Sequence, residues 1–246
     1  MYGAMVAGMD EGIGRVMAKL KEVGVDENTL VIFYSDNGGR LSHAVNLPLR
    51  GHKGMLFEGG IRVPFVMSWP AKFPKGNKSE SPISALDIFP TVIEAAGVGS
   101  DSVEHLDGIS LVNSLANGKE TPAGKLFWRY AMGDDQFGYA TRDGDMKLVQ
   151  SGYKNRNLLF NLAADPWEQN DLASEQPETV ARLAESIKQW DAKNVTPKWL
   201  DPHGPNVRKE ESKRQKRLST TRRVANGSDR RKFSRRWSVN SSDTKD

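Results

Sequence analysis

The chain contains no cysteine in 246 residues. Disulfides and thiolate metal sites are excluded, although this absence fixes no compartment. Long apolar runs are missing too, since no stretch approaches the roughly 18 residues that a membrane span requires. The opening segment, MYGAMVAGMDEG, lacks a basic n-region and a continuous apolar core, so no signal peptide is expected there. Histidine is scarce: His105 and His203 lie in stretches with no partner pattern, and His43 reads as an exposed loop residue. Hydrophobic content of 37% and charged content of 27% are those of an ordinary, slightly polar soluble protein.

Charge is unevenly spread. Residues 206–246 hold 14 Lys/Arg against 5 Asp/Glu, a net of +9, which leaves 21 against 26, a net of −5, for residues 1–205. The formal net charge of +4 thus combines a mildly acidic body with a basic tail. The tail has too few apolar residues to offset the entropy of ordering it, so disorder is expected over 206–246. Its KRQKRLSTTRR and RRKFSRRWS runs could attract nucleic acid or an acidic membrane by charge alone. A solvated extension is the simpler reading, and nucleic acid is not expected as a partner.

What is present has the rhythm of an α/β protein. Met5, Met9, Ile13, Val16, Met17, Leu20 and Val23 recur at helical spacing up to Gly24, a plausible stop. Gly8, Gly12 and Gly14 weaken that helix by about 1 kcal/mol each, so it needs packing to persist. Leu30–Tyr34 is a continuous apolar run and reads as a strand buried on both faces, with Val63–Trp69 as a second. Ser84-Ala85-Leu86-Asp87 resembles a capping box before a helix that ends at Gly97, with Pro90 in its first turn. Residues 98–124 read as a loop-rich connection. Phe137–Thr141 and Met146–Gln150 flank a hairpin turn at Arg142–Asp145, and Leu158–Asn161 is a further short strand. Pro177 opens a helix with Val180, Leu183, Ile187 and Trp190 on one face. Phe127, Trp128 and Tyr130 read as core of this later part, with a sugar platform as the alternative.

The chemistry concentrates in residues 30–60. The first strand stops at Ser35-Asp36-Asn37-Gly38, which places a carboxylate and an amide oxygen at its carboxyl end, where open α/β sheets bind ligands. Adjacent hard oxygen donors suit Ca²⁺ or Mg²⁺. Lys53 follows, set between Gly51 and Gly54 with Arg50 and His52 beside it. Glycines let backbone approach a ligand closely, and the ammonium supplies charge for an anion. A divalent cation beside a lysine in a glycine loop fits an oxyanion ester. Arg50 reads as structural, pairing with an acidic neighbour, and Glu58 as a residue positioning backbone.

YSDNGG, NLPLRGHKGMLFEGGIRVPFVMSWP, LDIFPTVIEAAG and LLFNLAADPWEQNDLA together resemble, in order, the C-terminal half of the formylglycine-dependent sulfatases of arylsulfatase type. The resemblance covers residues 2 to 200. It implies the C-terminal part of an alkaline-phosphatase-like sulfatase α/β fold over 1–124. A small α+β subdomain follows over 125–205, a short antiparallel sheet with a terminal helix, and then the disordered tail over 206–246. It also implies that Asp36 and Asn37 are calcium ligands and that Lys53 contacts the sulfate. His52 stands where a small residue is usual and is a candidate substrate contact.

The resemblance equally names what is lacking. The family's formylglycine arises from Cys or Ser in C/S-x-P-x-R, and this chain has no cysteine and no serine in that pattern. The paired aspartates completing the metal site, and further basic residues, belong to an N-terminal half not seen here. A sulfate ester, including sulfated carbohydrate, is the implied substrate, and that missing half the implied partner. The chain alone is expected to be inactive, to bind metal weakly or not at all, and to fold poorly, because two buried strands make no sheet. The family is usually exported to periplasm, extracellular space or lysosome. A non-catalytic binder of anions or sulfated glycans and a basic-tailed interaction protein are the alternative readings.

Overall fold

The computed structural model describes residues 2–98, 105–122, 124–133, 136–151 and 156–195. The basic tail, and the disorder expected of it, lie outside them. By backbone contacts Met1–Tyr130 and Gly138–Val195 form one unit, and Ala131–Phe137 with Thr196–Asp246 a second. Both hydrophobic cores and all candidate site residues belong to the first unit.

The first apolar stripe forms α1 (Tyr2–Glu22). Gly24 stops it at φ 72°, a left-handed value that costs glycine little because it has no Cβ. No residue of α1 is buried, and Met5, Met9, Val16 and Met17 stay exposed. The helix has its expected register, but only Ile13 and Leu20 of its stripe are partly covered.

β1 (Val31–Tyr34) and β2 (Phe65–Ser68) correct the expectation of strands buried on both faces. Among the described residues they pair only with each other, antiparallel, with Val31 opposite Ser68 and Tyr34 opposite Phe65. No residue of either strand is fully buried, and Val66 is 58% exposed. A two-stranded ribbon shields its side chains only in part. A one-turn helix, α2 (Glu58–Ile61), precedes β2. Just beyond β2, Trp69 is buried and donates from Nε1 to Asn28 Oδ1 at 3.2 Å.

The capping box forms as its sequence dictates. Asp87 Oδ2 accepts from Ser84 N–H at 2.7 Å, and Ser84 Oγ accepts from Leu86 N–H. It opens α3 (Ile88–Ala95), with Pro90 in the first turn and Gly97 beyond the end at φ 73°. Asp87 Oδ1 also accepts from Ile109 N–H, and the buried Thr91 hydroxyl accepts from Leu111 N–H. These bonds fasten the loop-rich connection to α3. Among the described residues of that connection Val112–Ala116 form a short helix, α4, which the sequence did not lead one to expect.

The later part forms a four-stranded sheet in the order β3 (Leu126–Gly133), β4 (Gln136–Asp143), β5 (Met146–Ser151), β6 (Arg156–Asn161). β4–β5 and β5–β6 are antiparallel, and Gly144 takes the first hairpin turn at φ 61°. α5 (Pro177–Asp191) buries Leu183 and Ile187 against Leu148 and Leu159 of the sheet. Trp190 stacks on Phe127, ring centroids 5.2 Å apart. The opposite face gathers Ala140, Val149, Leu158 and Phe160, with Trp128 packed on them. Leu56 and Phe57 cover that cluster. The segment carrying the glycine-flanked lysine therefore forms part of the sheet's second face.

Candidate anion and metal site

The Asp36–Asn37 turn and the Lys53 loop lie against each other through their backbones. Gly38 N–H donates to Gly60 O at 2.9 Å, and Lys53 N–H donates to Gly39 O at 3.1 Å. Asn46 staples the two: its Oδ1 accepts from Gly39 N–H at 2.8 Å, and its Nδ2 donates to Gly39 O and Gly51 O. Contact this close requires glycine. A Cβ on Gly38 would sit 1.9 Å from Gly59 O, and one on Gly60 would sit 2.1 Å from Met55 O. Gly38 thus sets how near the two motifs can come, and Gly60 how tightly the lysine loop folds on itself.

Asp36 is exposed at the carboxyl end of β1, and Asn37 beside it is partly covered. Among the described residues no hydrogen bond or ion pair engages the Asp36 carboxylate. Lys53 is exposed on its loop between Gly51 (φ 86°) and Gly54 (φ 87°). His52 Nδ1 lies 2.9 Å from Lys53 O. A carbonyl only accepts, so Nδ1 carries the proton, and a neutral ring keeps its lone pair on Nε2. His43 is exposed, with Ser42 Oγ 2.6 Å from its Nδ1.

The test of calcium against these residues is one of donor type and number. A carboxylate and an amide oxygen on adjacent residues match the hard-oxygen preference of the ion, but they supply two of the roughly six to eight oxygens it takes. Among the described residues no group of three or more His, Asp or Glu side chains converges as a metal site. The donors fit in kind and fall short in number.

Beneath the lysine loop lies a buried charge cluster. Lys147 is fully buried, with Nζ 2.7 Å from Glu58 Oε1 and 2.8 Å from Glu168 Oε1. The second contact is close but poorly aligned, so Glu168 Oε1 takes no hydrogen bond from it. Glu168 Oε2 accepts from Glu58 N–H at 2.7 Å. Burial raises the Glu168 acid above its ordinary value, outweighing the nearby Lys147 ammonium that lowers it. Arg50 donates to the backbone oxygen of Glu168 at 2.8 Å and lies 4.1 Å over the Phe57 ring. Arg50 is structural as expected, but it grips the backbone of an acidic residue and not its carboxylate. Glu168 has φ 58°, a left-handed value that costs a non-glycine residue about 1–2 kcal/mol. Its bonds to Arg50 and Glu58 hold it there.

Sequence reading missed Lys147 and Glu168 as supports of the loop. The available signal was register: Lys147 shares a strand face with Val149, which points into the core. It also misplaced Tyr130, expected in the core and in fact 45% exposed. Phe127 and Trp128 do pack into the two clusters. Hollows of about 300 Å³ beside Met17 and Val31, and of about 680 Å³ beside Pro90 and Ile109, lie away from Lys53. The candidate site is an open shelf. No helix among the described residues is long and apolar enough to cross a membrane.

Residues 1–98 match the Sulfatase family, and residues 51–193 match the family described as N-sulphoglucosamine sulphohydrolase, C-terminal. The chain belongs to the sulfatases. A sulfatase of Formosa agariphila is 30% identical over 222 residues, covering 80% of this chain and 40% of the relative. Steryl-sulfatase of Rattus norvegicus is 37% identical over 228 residues, covering 78% and 39%. Among solved structures, Ps i-CgsB superposes with a TM-score of 0.75 at 30% identity, covering 82% of this chain and 45% of that one. This sulfatase chain thus spans about two fifths of the length of these two curated relatives. The α/β fold with its antiparallel sheets and helix is that of the sulfatase structures.

Proposed function

We propose that this chain carries one side of the site of a sulfuric ester hydrolase, with Lys53 as the sulfate contact and Asp36 and Asn37 as calcium ligands. The observation that supports it most is the direct backbone contact between the Asp36–Asn37 turn and the Lys53 loop. That contact brings hard oxygen donors and a cation to one edge of the fold. Solved neighbours include Ps i-CgsB in complex with k-i-k-neocarrahexaose (30% identical) and BT4656 with its substrate D-Glucosamine-2-N, 6-O-disulfate (26% identical). A sulfated carbohydrate is accordingly the substrate class proposed.

The roles follow from charge and position. The Lys53 ammonium donates charge-assisted hydrogen bonds to sulfate oxygens and offsets their negative charge. Asp36 and Asn37 hold the cation next to that anion, and His52 borders the shelf as a substrate contact. Calcium, when bound, withdraws electron density from the ester oxygens as a Lewis acid. The sequence has no cysteine and no serine in an S-x-P-x-R pattern from which formylglycine could form. The remaining ligands and the nucleophile are assigned to other parts of the sulfatase fold, and the chain alone is proposed to be inactive.

Lys53→Ala tests this. A charge-assisted hydrogen bond contributes about 1.5–3 kcal/mol, so sulfate affinity should fall by at least roughly tenfold. Calorimetric titration of the full chain with inorganic sulfate measures it. Unchanged affinity in the variant would remove Lys53 from the site.

A further inference from the structure

We propose that Tyr130, with Met55 and the Lys53–Gly54 turn, forms a subsite for the pyranose ring that bears the sulfate ester. The proposal rests on the reading of Lys53 as the sulfate contact and extends it to the alcohol side of the ester.

Three observations carry it. First, alternation along β3 puts Trp128 and Tyr130 on the same face. Trp128 packs on the cluster that Leu56 and Phe57 also cover, so this face is the one toward the lysine loop. Second, Tyr130 reaches that loop. A Cβ built on Gly54 would lie 3.4 Å from the phenol oxygen and 3.9 Å from the ring carbon that carries it. Gly54 holds φ 87°, so its backbone conformation favours glycine, and the phenol lies at ordinary contact distance from the turn. Third, the group is open. Tyr130 is 45% exposed and Met55 41%, and Lys53 and Gly54 are exposed between them. Among the described residues the other large aromatic side chains on this sheet are used for packing: Phe160 is fully buried, Trp128 packs on the first cluster, and Phe127 and Tyr139 on the second.

The chemistry of the three side chains selects a ligand. An ammonium takes the sulfate, and a phenol offers both a ring face and a hydroxyl that donates and accepts. A thioether supplies a soft apolar surface. A pyranose sulfate uses all three, through its anion, its C–H face and its ring hydroxyls. Inorganic sulfate uses the ammonium alone. Tyr130 would therefore set preference among esters, while Lys53 would set affinity for the anion.

The test is a pair of titrations of the full chain in calcium-containing buffer, with inorganic sulfate and with glucosamine 6-sulfate, followed by NMR. The sugar sulfate is expected to bind about three- to tenfold more tightly than inorganic sulfate, the range that an aromatic contact supplies. Tyr130→Ala should bring that ratio to about one and leave inorganic sulfate affinity in place. Tyr130→Phe should keep part of the ratio, and it guards against an alanine variant that fails to fold. A ratio unchanged in Tyr130→Ala overturns the subsite, as does equal loss of both ligands in a folded variant. Sulfate binding with no preference for the sugar in the unaltered chain also overturns it, while the Lys53 reading stands. Binding of neither ligand by the unaltered chain overturns both.

Discussion

Replacing Lys147 with methionine is expected to destabilise the chain by about 3–5 kcal/mol at neutral pH, because it leaves two buried carboxylates without their cation. Lys147 is fully buried, and Glu58 and Glu168 both lie within 2.8 Å of its ammonium. Arg62 reaches Glu58 only at 3.9 Å and is half exposed, so it cannot replace the lost charge. Chemical unfolding followed by tryptophan fluorescence measures the loss. The sign of its pH dependence is fixed by Glu168. Its folded-state acid is raised above the ordinary 4.5, so the folded state holds that proton more tightly than the unfolded chain does. The stabilisation from this group is fully present below about 4.5 and is lost as pH rises through the raised value. Lys147→Met should therefore show its largest deficit at neutral pH, shrinking as the solution is acidified. Glu168→Gln retains an acceptor for Glu58 N–H and removes one of two competing charges, so it should cost much less. A deficit for Lys147→Met that does not vary between neutral and acidic solution would contradict the cluster's role.

Gly38→Ala should separate the two halves of the candidate site. Its Cβ would stand 1.9 Å from Gly59 O, 2.8 Å from Gly59 C and 3.0 Å from Gly60 Cα. All three atoms are backbone, so no side chain can swing aside. Relief requires the Asp36–Asn37 turn to move off the lysine loop, which also breaks the bond from Gly38 N–H to Gly60 O. Overpacking of this kind costs about 1–3 kcal/mol. Amide hydrogen exchange should speed up over 36–39 and 51–60 while β5, β6 and α5 keep their protection. Exchange unchanged in the loops would show that the two motifs are not held by this contact.

Local rules made much of the fold legible in the sequence. The Ser84–Asp87 capping box, the glycine stops at Gly24 and Gly97, the Gly144 hairpin and the α5 face all depend on residues a few positions apart. Each formed where its local chemistry required. Burial was less legible, because it depends on what covers a surface. The apolar β1 run looked like an interior strand, yet among the described residues it has one neighbour, and its side chains stay half open. Lys147 shows the reverse error. A lysine in a strand reads as solvated, and only partners 89 residues before it and 21 after it allow it to be buried. Of the site, residue types and loop glycines could be read directly. Glu168 could not, since its role arises from a contact with Glu58 110 residues away, and the short-range staple by Asn46 carries no sequence motif.

On the proposed reading the Asp36–Asn37 turn and the Lys53 loop serve one anion together. Titration of the isotope-labelled full chain with sulfate, read amide by amide, addresses it most directly. Gly38, Gly39, Lys53 and Gly54 are expected to shift in concert with a single dissociation constant, which Lys53→Ala weakens at least roughly tenfold for the whole set. Shifts confined to residues 206–246, with those amides unmoved, would contradict it and leave the basic tail as the anion-binding part of the chain.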